Sequence, residues 1–337
     1  MKIYIKTTES CNLNCKHCYI GDNRLLRLQF NANKTIDWLK KYIHKNGIEE
    51  NKLYISFHGG EPFLANLDDM QKVCNSFPNA MFDATSNLVM DIDHGIKDFI
   101  LRNFRQKDIG TFIKTSWDYK IRFATDAQEL LWRKNIQELL NDDVTIKVIT
   151  CLTKPFIENV SPQEYLDFMK DLGIRHAGFE RLTYNTTENK TLIPDIEEID
   201  SWLLECYQKN NFLEQSFFSD IAAACKHCFL GCRKRECMKN VLTINADGTI
   251  GGCPNSSIKN WFFNIDGVIN KELRDRLIEK EQLQNPECYT CDLFQECNGD
   301  CHQLSWINKK CYTPKKLFRR IKEDINNHTG FISEDWL

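Results

Sequence analysis

A chain of 337 residues, 42% apolar and 27% charged, is long enough for one large α/β domain with a smaller one appended, and its composition is that of an ordinary soluble protein. Its 44 Lys and Arg against 47 Asp and Glu leave a net charge of −3, which excludes the basic footprint of a general nucleic-acid binder. No stretch approaches the roughly 18 consecutive apolar residues of a membrane span, and the opening MKIYIKTTES lacks the apolar core of a signal peptide, so the cytoplasm is the expected compartment.

Six β-rich runs alternate with helical patterns over the first 182 residues. The runs are KIYIKTT (2–8), KLYISF (52–57), AMFDATS (80–86), TFIKTSW (111–117), VTIKVITCL (144–152) and HAGFERL (176–182). Helical spacing is clear at 35–45, where Ile36, Leu39 and Ile43 share a face, and again at 125–140 and 161–173. The last of these opens on Ser–Pro and closes at Gly173. Such alternation predicts a parallel sheet with right-handed crossovers. Six β–α units fall short of a complete eight-unit barrel, so the expected fold class is α/β, a partial (β/α)6 barrel. A helix at about 195–212 ends that domain. A cysteine-rich domain is expected at 213–313, short of elements able to form their own core, followed by a closing helix and tail at 314–337.

Sixteen cysteines are the anomaly of the composition. In a reducing compartment, clustered cysteines point to metal rather than to disulfides. Cys74, Cys151 and Cys206 stand alone and read as small buried hydrophobes. Cys11, Cys15 and Cys18 form a Cys-x3-Cys-x2-Cys loop directly after the first strand. Three thiolates this close can hold one cubic iron–sulfur cluster with one iron left open. A zinc site is the alternative and needs a fourth ligand, for which His17 is the local candidate.

This spacing after the first strand resembles that of the radical S-adenosylmethionine (SAM) superfamily. The resemblance implies an open iron that binds SAM, and cleavage of SAM to a 5′-deoxyadenosyl radical that abstracts a substrate hydrogen, so Cys11, Cys15 and Cys18 are the expected catalytic set. The HGGEP segment (58–62), after the second strand, looks like the family's GGE motif. Gly59 and Gly60 would let the backbone approach a ligand, and Glu61 would pair with the SAM ammonium. Ser86 and Asn87 after the third strand, with Ser116 and Asp118 after the fourth, suit the ribose hydroxyls and methionine portion. Arg122 or Arg133 could hold the SAM carboxylate, or simply lie on a helix surface. Tyr19 could pack on adenine, or serve as a core aromatic.

A second resemblance covers the C-terminal third. From Cys237, ten residues lead to Gly248 and four more to Cys253, followed by Cys288, Cys291, Cys297, Cys301 and Cys311. This is similar to the SPASM pattern, which implies two auxiliary [4Fe–4S] clusters and, with the cluster on the first loop, three in all. Carried over by position, the nearer uses Cys232, Cys237, Cys253 and Cys301, the farther Cys288, Cys291, Cys297 and Cys311. Four cysteines each leave no open iron, which favours electron transfer and a net oxidation. Cys225 and Cys228 exceed this complement and read as a further metal site, as an alternative ligand to the nearer cluster, or as two free or buried thiols.

Two departures narrow the expectation. Sulfatase-maturating members place an Asp where this chain has Pro254. Many peptide-modifying members also carry an N-terminal recognition domain, whereas ten residues precede Cys11 here. The expected function is oxidative modification of a side chain in a ribosomal peptide or protein; the alternative is oxidation or rearrangement of a small molecule such as a sugar, nucleoside or amino acid. Flavodoxin or ferredoxin is the expected electron donor. Glu180, Asp118 and His58 are candidate general bases.

Overall fold

The computed structural model describes residues 1–106, 109–183, 188–304, 306–307 and 309–329. The six β-rich runs form strands β1 (Lys2–Thr8), β2 (Tyr54–Gly59), β3 (Met81–Ala84), β4 (Gly110–Ser116), β5 (Val144–Leu152) and β6 (His176–Arg181). They alternate with α1 (Ala32–Lys45), α2 (Leu67–Ser76), α3 (His94–Asn103), α4 (Asp126–Asn141), α5 (Pro162–Asp171) and α6 (Ile196–Lys209). Helices α2 and α3 fill the second and third of the expected β–α units, for which no helical run is singled out in the sequence. Each is short and starts on a side-chain cap, Asn66 or Asp93, that takes up a backbone N–H of the first turn.

The chain forms two compact units that do not follow sequence order. The first comprises Met1–Ser116, Phe123–Ile146 and Cys237–Ile278; the second comprises Trp117–Arg122, Lys147–Glu236 and Glu279–Leu337.

In the first unit β1 pairs in parallel with β2, and β2 with β3. The Thr85–Lys114 bridge brings β4 alongside β3, with the Ser86 N–H donating to the Lys114 carbonyl at 2.9 Å. The other edge of β1 is taken by β7 (Val241–Ile244), also parallel, which continues through the antiparallel strands β8 (Thr249–Gly251) and β9 (Trp261–Asn264). Part of the cysteine-rich region therefore extends the sheet of the first strand. Both faces of β1 are covered, as is usual in a parallel sheet: Ile3 and Ile5 are fully buried, and so is Lys6.

In the second unit β5 pairs in parallel with β6 from Lys147–His176 to Leu152–Arg181, and β6 pairs with Glu214–Gln215. Phe156, Tyr165, Phe179 and Trp202 pack edge to face and tilted as its aromatic core. Helix α7 (Ser216–Cys225) and the closing helix α8 (Lys315–Asn326) complete it. Asp200 on α6 accepts from the Lys316 and Leu317 N–H groups at 2.8 and 3.0 Å, and so caps α8 from outside its own sequence. Residues from 330 onward, which include the end of the expected tail, lie outside the described residues. Between these helices, the described residues of 286–311 hold only a 3-10 turn, a one-turn helix and two-residue strands. Among the described residues no helix is long and apolar enough to cross a membrane.

Candidate functional site

The loop of Cys11, Cys15 and Cys18 leaves the C-terminal end of β1, and its thiols are partly exposed. Its backbone is pinned at both ends. The Thr8 hydroxyl donates to the Leu28 carbonyl at 2.6 Å and accepts from the Ser10 N–H at 3.0 Å. Within the loop the Cys18 N–H donates to the Cys15 carbonyl, and the Leu13 N–H donates to Cys11 Sγ at 3.4 Å. Burial pushes the Cys11 thiol up, against the hydrogen bond from Leu13.

The GGE segment is sewn onto this loop. The Gly60 N–H donates to the Thr8 carbonyl at 2.9 Å and the Glu61 N–H to the Ser10 carbonyl at 2.8 Å. A Cβ at Gly59 would stand 2.1 Å from the Thr8 carbonyl oxygen, and one at Gly60 would stand 2.1 Å from that of Ser10. The close approach that requires glycine is thus to the chain's own backbone, where the sequence suggested a ligand. Glu61 is fully buried and accepts from the Phe63 N–H (3.2 Å), the Ser86 hydroxyl (2.9 Å) and the Asn87 N–H (2.7 Å). The Asn87 amide in turn donates to Asn12 Oδ1 at 2.7 Å and toward Cys11 Sγ at 3.6 Å. Cys11, Asn87, Glu61 and Ser86 therefore form one continuous polar chain across the C-terminal ends of β1, β2 and β3.

The other expected contacts are placed more plainly. Ser116 is the last residue of β4. Asp118 and Arg122 belong to the second unit, where the buried Asp118 carboxylate accepts from the Cys151 N–H at 2.8 Å and pairs with Arg122 at 2.7 Å. Arg133 pairs with Glu129 at 2.6 Å, one turn back along α4. The Tyr19 hydroxyl meets His58 Nδ1 at 3.0 Å. Burial, then Lys6 and Lys114, push His58 down to about 3, so its ring stays neutral.

In the second unit Cys288, Cys291, Cys297 and Cys311 line a single small pocket, together with Trp306 and Thr313. These are the four thiols expected to share one cluster. Burial pushes Cys297 up to about 12, a cost that metal coordination removes by fixing the thiolate. Among the described residues no three His, Cys, Asp or Glu side chains converge on one point as ligands of a single ion; the four sulfurs surround a space. Cys301 hydrogen-bonds Cys232. Between Cys297 and Cys301, Asp300 is buried and pairs with Arg181 at 2.7 Å, with Arg233 at 3.8 Å. Burial opposes its ionisation, yet the two guanidiniums hold its carboxyl below the usual carboxylate range. Sequence reasoning passes over Asp300 and Arg181 and takes the basic run Arg233, Lys234, Arg235 for a solvated face, whereas Arg233 and Arg235 are buried, because an ion pair between residues this far apart leaves no local pattern.

In the first unit, Cys237 opens a short helix before β7 and Cys253 follows β8. A Cβ on Gly252 would stand 2.9 Å from the Cys237 carbonyl oxygen, so the two cysteine segments are in backbone contact. Cys225 ends α7 half-buried, and Cys228 is exposed.

Comparison with known proteins agrees with this arrangement. Residues 4–137 match a family model described as a 4Fe-4S single cluster domain. The chain is 21% identical to the radical SAM cyclopropyl synthase TigE of Paramaledivibacter caminithermalis over 96% of its own length and 74% of that protein. It is 25% identical to an uncharacterized protein of Methanocaldococcus jannaschii over 60% of this chain and 69% of the other. Among solved structures, anSMEcpe with bound AdoMet and a peptide superposes with a TM-score of 0.78, at 16% identity, over 97% of this chain and 99% of that one. Streptococcus suis SuiB bound to its precursor peptide SuiA gives 0.60, at 16% identity, over 89% and 71%. The fold is the expected α/β partial barrel.

Proposed function

We propose that the chain is a radical SAM enzyme with a C-terminal SPASM domain and that it oxidises a side chain of a ribosomal peptide or protein, with SAM consumed as co-substrate. One observation carries the reading: the Cys11–Asn87–Glu61–Ser86 chain joins the three-cysteine loop to the polar ends of the next two strands.

The donor set fits the cofactors. Three half-exposed thiols in one loop suit a cluster with one iron left for an outside ligand, and four thiols around a cavity suit a closed one. We assign Cys11, Cys15 and Cys18 to the catalytic [4Fe–4S] cluster and Cys288, Cys291, Cys297 and Cys311 to one auxiliary cluster. Cys232, Cys237, Cys253 and Cys301 are assigned to the other. A cluster held by Cys11, Cys15 and Cys18 would supply the electron for reductive cleavage of SAM, the chemistry by which a substrate hydrogen would be abstracted.

The residues of this chain hold and orient. Gly59 and Gly60 fix Glu61 against the loop, and the Glu61 carboxylate is the group we assign to the SAM ammonium, a charge-assisted pairing. Ser86 and Asn87 stand next to it for the polar groups of SAM, and Asn87 also steadies Cys11. Of the two candidate arginines, Arg122 is the one we assign to the SAM carboxylate. It is held on a buried aspartate, whereas Arg133 sits in an ordinary surface pair.

The peptide substrate is supported by SuiB and anSMEcpe, both solved with bound peptides. A flavodoxin or ferredoxin of the cytoplasm is the proposed donor. Anaerobic reconstitution tests the reading: roughly twelve irons per chain and 5′-deoxyadenosine from SAM plus dithionite are expected. Zinc in their place, or iron without cleavage, would overturn it, and turnover of a free sugar, nucleoside or amino acid would replace the peptide assignment.

A further inference from the structure

Lys6 is the one lysine among the largest fully buried side chains of the described residues. Its ammonium donates to Ser257 Oγ at 3.2 Å and stands 5.0 Å from the centre of the Tyr19 ring. Each contact leads to a cysteine. Tyr19 directly follows Cys18. Ser257 closes the turn that begins at Cys253, in which the Ser256 N–H donates to the Cys253 carbonyl at 3.0 Å. Ser257 is itself fixed, its hydroxyl donating to Asn245 Oδ1 at 3.0 Å and its carbonyl accepting from the Asn245 amide at 3.1 Å. All of these residues belong to the first unit.

The counter-charges are also buried. Glu9, 4% exposed, has one carboxylate oxygen, Oε2, without a hydrogen-bond partner. The acidic groups acting on Lys6 are, in order, Glu9, Asp247, Cys253 and Cys18. Burial lowers Lys6 to about 8 against all four of them. His58 and Tyr19 are its neutral polar neighbours. A lysine buried this completely is costly unless charge of opposite sign compensates it. Two cysteines expected to hold clusters are among the groups that do so.

We propose that Lys6 is a fixed positive charge shared by the Cys18 loop and the Cys253 loop, and that Lys6 and Glu9 together set the reduction potentials of the two clusters bound there. The inference rests on the cluster assignment above. Reduction adds a negative charge to a cluster, and in a low-dielectric interior a nearby ammonium stabilises the reduced form while a nearby carboxylate destabilises it. Lys6 is a positioning residue in this scheme and touches neither substrate nor reacting atoms.

Opposite signs make the test. The reconstituted full-length chain, its Lys6→Met variant and its Glu9→Gln variant are titrated with dithionite and followed by electron paramagnetic resonance. Lys6→Met is expected to make reduction of both clusters at least tenfold less favourable, about 59 mV for a one-electron couple. Glu9→Gln is expected to shift them the other way, and the cluster on Cys288, Cys291, Cys297 and Cys311 is the internal reference. Unchanged potentials, or shifts of the same sign in both variants, would overturn the inference while leaving the cluster assignment intact. Failure of the unsubstituted chain to bind iron or cleave SAM would overturn the assignment itself. Should Lys6→Met not load, the sign of the Glu9→Gln shift decides.

Discussion

The loop of Cys11–Cys18 and the segment of Cys288–Cys311 hold their thiols by opposite means. The first is built on backbone: it leaves a central strand, is sewn to the next strand's loop by N–H···O bonds, and needs two glycines for that contact. The second has almost no regular backbone. Its shape comes from side chains, with Asp300 between Arg181 and Arg233 and four cysteines around a cavity. A site that belongs to a sheet inherits the sheet's rigidity and can keep its form before the metal arrives. A site assembled from ion pairs and thiols depends on every partner being present, the metal included.

The comparison can be broken most directly at Asp300. Asp300→Asn leaves two buried guanidiniums short of their counter-charge and should cost about 3–5 kcal/mol in denaturant unfolding; a loss within the scatter of surface variants would show that the ion pairs do not hold the segment. Gly60→Ala forces the GGE segment away from Ser10 and should cost roughly 1–3 kcal/mol, with SAM-dependent 5′-deoxyadenosine formation abolished. Retained cleavage would mean that the backbone contact is not what shapes the first site. Cys291→Ala should sharpen the contrast. Residues 286–311 become the first cut in limited proteolysis while β1 to β3 stay protected, and SAM cleavage persists without product. The smallest effect concerns His58. Its folded-state value lies below its ordinary one, so its contribution is complete above about 6.5 and is lost as pH falls from there toward about 3, where the unfolded chain binds the extra proton. His58→Gln should flatten the decline of stability over that window; an unchanged slope would assign the decline to other groups.

The strands were legible because each is a dense β-branched and aromatic run bounded by turn residues, and β1 and β5 match their expected bounds to the residue. Several features were less visible. VLTINADGTIGG carries a hairpin signal in its Asp–Gly, yet nothing local says that Val241–Ile244 will lie beside Lys2–Ile5. The alternation in KIYIKTT distinguishes two faces but not their surroundings, so nothing local marks Lys6 as buried. The double glycine announced a close approach and suggested a ligand as its partner, whereas the backbone it meets is that of Thr8 and Ser10. In each case the missing information is long-range: a residue's chemistry is local, but its neighbour is chosen by the fold.

The pairing of β1 with β7 sets an order on how the molecule comes into being. At about 5–20 residues per second of synthesis, roughly 12–48 s separate the appearance of Lys2 from that of Val241, its partner in the sheet. For that interval the strand beneath the first cysteine loop lacks one of its two neighbours, and contacts of such long sequence separation are slow to close. The nascent protein thus carries an unfinished sheet beneath its first cysteine loop through most of its translation. Hydrogen-exchange pulse labelling of refolding would register this as protection of Ile3 and Ile5 arriving together with that of Leu242, and not before it.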